Sequence, residues 1–101
     1  MFFRKKAGPV SWIIVFLGNP GAKYARTRHN AGFITAGLLE KDAGIRIDRL
    51  KFKALTAAAD FGGSKVLFVK PQTYMNLSGD AVQQAMRFHK VPLERVIVIS
   101  D

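Results

Sequence analysis

The sequence predicts an α/β domain in which a mixed sheet is flanked by helices. Three observations carry that expectation. Two short runs, Trp12 to Leu17 and Val96 to Ile99, are continuously apolar and rich in β-branched residues, the pattern of strands buried on both faces. Between them, an alternating stretch meets a more apolar one across Phe61-Gly62-Gly63-Ser64, which reads as an antiparallel hairpin. Two further stretches have helical spacing, so the order is strand, helix, strand, strand, helix, strand. A chain of 101 residues allows one domain, and a hydrophobic share of 49% is enough to bury a core.

Taken in order, Met1 to Val10 is basic, contains Gly8-Pro9 and lacks the apolar core of a secretory signal; it is expected to be a short flexible arm, with residues 11–101 forming the domain. Trp12 to Leu17 is the central strand, stopped by Gly18, and Gly18 to Arg28 is loop. Asn30 is placed to cap a helix from Ala31 to Ala43 that ends at Gly44. In it Ile34, Leu38 and Leu39 are expected to face the sheet. Gly32 and Gly37 each cost such a helix roughly 1 kcal/mol relative to alanine, which implies close approach to the backbone.

Leu50 to Asp60 alternates as one half-exposed strand, and Lys65 to Val69 is its hairpin partner. Lys70 to Thr73 is expected to be loop, because Pro71 has no donor for a ladder. In the second helix Val82, Ala85, Met86 and His89 recur on one face, Ser78 or Asn76 is the cap, and Val91-Pro92 lies beyond the end. His89 reads as structural, favourably placed near a helix C-terminus. If the strands of Ile13, Lys65 to Val69 and Val96 are parallel neighbours, their carboxyl ends share the edge where ligands of open α/β sheets bind.

Charge narrows the class of partner. The net charge is +9, from 16 Lys and Arg against 7 Asp and Glu, and no acid precedes Glu40. Arg4, Lys5, Lys6, Lys23, Arg26 and Arg28 all lie before it, so the N-terminal third suits an anionic partner such as nucleic acid. No apolar run approaches the roughly 20 residues that span a bilayer. There is no cysteine, which excludes disulfides, thiol catalysis and cysteine-based zinc sites.

The loop after the first strand holds the chemistry. His29, whose side chain ordinarily titrates near about 6.5, can exchange a proton at neutrality, and Asn19, Tyr24 and Asn30 offer uncharged hydrogen-bonding groups. A histidine oriented by a carboxylate is a general base, worth roughly 10² to 10⁴ in rate, and Asp101 follows the last strand. No Gly-x-Ser-x-Gly elbow supplies a nucleophile, so direct attack by water on an ester is the simpler chemistry. Asparagine amides can hold both sides of a peptide group without adding charge, a task that Asn19 and Asn76 suit. Plainer roles stand beside these. Asn76 could be only a helix cap, Tyr74 and Met75 core residues, and His29 a surface residue at a helix start.

The stretches GNPGAKYARTRHNAGF and KPQTYMNLSG resemble the two signatures of the bacterial peptidyl-tRNA hydrolase family, in the right order and spacing, and the resemblance runs from Ile13 to the end. It implies hydrolysis of the ester joining a peptide to tRNA by a cytoplasmic, monomeric enzyme that needs no metal or cofactor. His29 would activate water and Asp101 would stabilise its basic form. Asn19 would help discriminate blocked from free aminoacyl groups, with Tyr24, Tyr74, Met75 and Asn76 on substrate-contacting positions. Phe16 departs from the small glycine common in the family, and Tyr74 from a frequent phenylalanine. The family's chain also continues well past Asp101, so the sequence reads as an apparently truncated, N-terminal part of the domain that is not expected to be a competent enzyme alone. A catalytically silent RNA-binding relative, or an inactive fragment, is the alternative.

Overall fold

The computed structural model describes residues 9–18, 31–72 and 78–100. Strand β1 is Trp12–Phe16, helix α1 Ala31–Ala43, β2 Arg49–Lys51, β3 Ala54–Phe61, β4 Ser64–Pro71, helix α2 Ser78–His89 and β5 Val96–Ile99, the last preceded by a 3-10 turn over Leu93–Arg95. The strands form one mixed sheet in the order β2-β3-β4-β1-β5. β1 is parallel to β4, with Ile13 opposite Leu67, and parallel to β5, with Ile13 opposite Val96. The expected parallel arrangement of three carboxyl ends is therefore present. β3 is antiparallel to β4, and Phe61 faces Ser64 across Gly62 and Gly63, whose φ values of 64° and 87° need glycine.

Alternation along the interior strands sorts the core into two layers. Ile13, Val15, Leu67 and Val69 point to one face, where Ala81 and Ala85 of α2 cover them together with Val10 and Val91. Phe16, Val66 and Phe68 point to the other, under Ala36 of α1, with Ile47 and Ala59. Val10, the last residue of the expected arm, is thus part of the core. Phe16, standing where a glycine is common, is accommodated on the α1 face by stacking on Phe68 with 6.3 Å between ring centroids.

Four expectations need correction. Ile34 and Leu38 do not face the sheet: they are 43% and 58% exposed, and the helix presents Gly32, Ala36, Phe33 and Leu39 instead. Small residues at positions four apart let α1 lie close, so the large side chains on its other flanks point away.

Leu50 to Asp60 is not one strand. Phe52 and Lys53, both at φ 57°, form a two-residue turn between β2 and β3. Such a turn normally takes Asn-Gly, so the sequence carried no signal for it. Phe52 is held there by packing on Phe88 and His89, with centroids 5.5 and 6.0 Å away.

Lys70 and Pro71 belong to β4, and Pro71 is buried opposite Ala54. The missing donor costs nothing at that position. The flanking bond is made by Gln72 N–H to the Lys53 carbonyl at 3.0 Å, and the pairing with β1 has already ended at Val69.

Ser78 is the first residue of α2 and is buried, its hydroxyl without a hydrogen-bond partner. Asn76 and Asn30, the other proposed caps, lie outside the described residues.

Helix ends follow local chemistry. Gly44, at φ 69°, ends α1 as expected, and the Ile45 N–H reaches back to the Glu40 carbonyl at 3.2 Å. α2 ends the same way without a glycine. Lys90 takes φ 55°, and Val91 N–H donates to the Met86 carbonyl at 3.0 Å while its side chain enters the core.

Candidate functional site

His29, Asp101, Asn19, Tyr24, Tyr74, Met75 and Asn76 all lie outside the described residues, as do Lys23, Arg26 and Arg28. What is described is the frame on which their segments begin and end. β1 finishes at Phe16 beside Ile99 of β5, and the Leu17 N–H donates to the Ile99 carbonyl at 2.9 Å. Asn19 follows two residues after Leu17, and Asp101 two residues after Ile99. β4 ends at Pro71 on the same edge, and residues 73–77 follow. The first turn of α1, three residues after His29, lies against this edge, since Gly32 touches the backbone of both Leu17 and Ile99.

All three segments bearing the expected site residues therefore leave this sheet edge, and the first of them also returns to it at the start of α1. The cause is the parallel pairing: strands that run the same way deliver their carboxyl ends, and the loops after them, to one side.

Two described side chains at this edge escaped the sequence reading. Lys70, read as loop, is the penultimate residue of β4 and half-buried, with its Nζ 5.1 Å from the ring centroid of Phe33 in α1. That contact ties a cation to the helix start and adds to the positive charge of the preceding loop. Its position in a strand, invisible while Pro71 seemed to end the run, is the reason it was missed. Gln72 turns its side-chain amide back onto the Lys70 carbonyl at 3.0 Å, which braces the chain where it enters residues 73–77.

Elsewhere the titratable groups are structural. Lys53 and Asp80 form an exposed pair at 3.4 Å. His89 has a pKa lowered from 6.5, first by burial and then by the charges of Lys51 and Lys65. Its Nε2 is buried without a hydrogen-bond partner. The favourable helix-end interaction expected for a protonated His89 is outweighed. Among the described residues no group of three or more His, Cys, Asp or Glu could hold a metal ion. Nor is any described helix long and apolar enough to cross a membrane.

Comparison with known proteins fits this frame. The family model for peptidyl-tRNA hydrolase matches residues 13–101. The chain is similar to the peptidyl-tRNA hydrolase of Caldanaerobacter subterraneus subsp. tengcongensis, 53% identical over 90 residues that make up 89% of this chain and 49% of that one. It is likewise similar to that of Carboxydothermus hydrogenoformans, 54% identical over 89% of this chain and 48% of the relative. Among solved structures, peptidyl-tRNA hydrolase from Acinetobacter baumannii superposes with a TM-score of 0.83 at 37% identity, over 90% of this chain and 47% of its own. The chain thus spans about half the length of the relatives it matches. With the family model running from the second residue of β1 through every later described strand and helix, and the same fold in the solved relative, the chain belongs to the peptidyl-tRNA hydrolase family.

Proposed function

We propose that the protein hydrolyses the ester linking a peptide, or another N-blocked aminoacyl group, to tRNA, with water as the attacking group. The observation that carries this reading is the convergence of the carboxyl ends of β1, β4 and β5 with the start of α1 on one edge. This edge is where residues from three distant parts of the sequence would be brought together. His29 takes the proton from water as it attacks the ester carbonyl, and Asp101 stabilises the protonated imidazole that forms. The proton then passes to the leaving ribose oxygen, freeing tRNA and the peptide carboxylate. Asn19 reads the blocked amino group, while Tyr24, Tyr74, Met75 and Asn76 hold the peptide and the terminal nucleotide. No metal or cofactor takes part.

Lys23, Arg26, Arg28 and Lys70 meet tRNA phosphates, and a cytoplasmic, monomeric enzyme with the residues before Val10 as a flexible arm suits that substrate. The experiment is hydrolysis of an N-acetyl-aminoacyl-tRNA by the protein in its full-length context. His29→Ala is expected to lower turnover by about 10²-fold or more, the loss of a general base, with tRNA binding little changed. An alanine variant that remains active removes His29 from the mechanism. Binding should also weaken with salt, and neutralising Lys23 and Arg26 together should reduce the slope of log affinity against log salt by about 2.

A further inference from the structure

Gly32 occupies a three-way junction. A Cβ placed on it would lie 2.6 Å from the Ile99 carbonyl oxygen and 2.8 Å from the Leu17 amide nitrogen, and closer still to the Leu17 carbonyl oxygen. All three obstacles are backbone atoms, so no side-chain rearrangement could make room. The Leu17 amide and the Ile99 carbonyl are also the two partners of the hydrogen bond that joins the chain after β1 to the end of β5. Any residue larger than glycine would have to push α1 outward or part the two strand ends. Gly37, in the same helix, has nothing within 4 Å of where its Cβ would stand. Only one of the two glycines of α1 is demanded by packing.

We infer that Gly32 is a positioning residue for the reaction: by letting the first turn of α1 rest on the Leu17 and Ile99 backbone, it fixes the separation of the segments that carry His29 and Asp101. The inference rests on the functional reading above. Gly32 is three residues from His29, and Ile99 is two residues from Asp101, so the junction is the nearest described anchor to each. A shift of about 1 Å in such an anchor is enough to disturb a catalytic pair. Gly32 itself touches no substrate; it acts through the distance it allows.

Residues 1–101 hold two histidines, His29 and His89. Their ring signals, assigned by substitution of each histidine, are followed by NMR through a pH titration of the protein in its full-length context. Asp101→Asn is expected to lower the proton affinity of His29 roughly tenfold, the lower end of what an opposite charge at contact confers. Gly32→Ala should move His29 in the same direction, and the double variant should move it no further than Asp101→Asn alone. Gly37→Ala should leave it in place. His89, on α2 across the sheet, should keep its titration in every variant and so reports an intact fold. If Gly32→Ala leaves His29 unchanged while Asp101→Asn shifts it, the inference fails and the functional reading survives. If Asp101→Asn has no effect, the catalytic pair itself fails, and the inference with it. If Gly32→Ala shifts both histidines together, Gly32 is a requirement of folding and its proposed role is overturned.

Discussion

β1 and β5 lie side by side, run in the same direction and are built from nearly the same apolar residues, yet they live in different surroundings. Ile13 and Val15 of β1 are fully buried, because β4 and β5 flank the strand and a helix covers each face. In β5, Ile97 and Val98 remain 45% and 52% exposed, at the end of the sheet order. The difference teaches that a continuously apolar run reports the cover a strand requires, whereas its actual cover depends on which other elements are there to supply it.

The sharpest way to break this comparison is to truncate the same residue type on both strands. Ile13→Ala should cost about 2–5 kcal/mol, read as a fall in the denaturation midpoint at constant slope, because it removes buried methylenes and leaves a cavity. Ile97→Ala should cost under about 1 kcal/mol, since much of the side chain already meets water. Equal losses would mean that β5 is covered in solution, for example by a second copy of the chain.

That possibility has its own measurement. Exposed apolar edges favour association, so Ile97→Lys with Val98→Lys should raise the protein concentration at which oligomers appear in sedimentation by about tenfold, or roughly 1.4 kcal/mol, with little change in melting. An unchanged profile would show that the edge does not drive association.

A smaller effect concerns His89, on the well-covered side. Its pKa is lowered in the folded chain by burial, Lys51 and Lys65, so protonation favours the unfolded state. The stability it permits is present above the unfolded value of 6.5 and is lost as pH falls below it. The melting temperature should therefore drop between pH 7 and pH 5, and His89→Gln should remove part of that drop. A steeper fall in the variant would reverse the sign of the argument. The least effect is expected from Lys53→Ala, since the exposed pair with Asp80 should contribute about 0.2–1 kcal/mol or less.

Much of the fold was legible because its signals are local and redundant. Gly44 and Gly62-Gly63 mark a helix end and a hairpin turn by conformations that other residues avoid, and the two apolar runs mark strands, although only β1 of the two is interior and the expectation that Val96 to Ile99 is buried on both faces is not met. What escaped was set by neighbours distant in sequence. Phe52 and Lys53 turn with positive φ because Phe88 and His89 hold the Phe52 ring, and Pro71 stays in β4 because Lys53 accepts the bond from the next residue. The faces of α1 were misread because small residues seek the sheet when a helix must come close, which a count of large apolar side chains does not register. For the candidate site, the motifs named residues and the strand directions supplied a common edge. Gly32 drew attention in the sequence as a costly residue in a helix, and the backbone it touches explains its presence.

The place of β1 in the sheet, interior between β4 and β5 rather than central as its sequence suggested, also sets a timetable. β3 and β4 are neighbours in sequence and can pair as soon as both exist, on the microsecond scale of hairpins. Among the described strands β1 emerges first from the ribosome, yet one of its two partners, β5, is the last to be made. At about 5–20 residues per second, its apolar residues must wait on the order of ten seconds for that partner. During synthesis the oldest strand is thus among the last to be enclosed. A chaperone that shields short apolar segments would find in Trp12 to Leu17 a client that stays open for most of this interval, and slowing translation after residue 72 would lengthen that exposure.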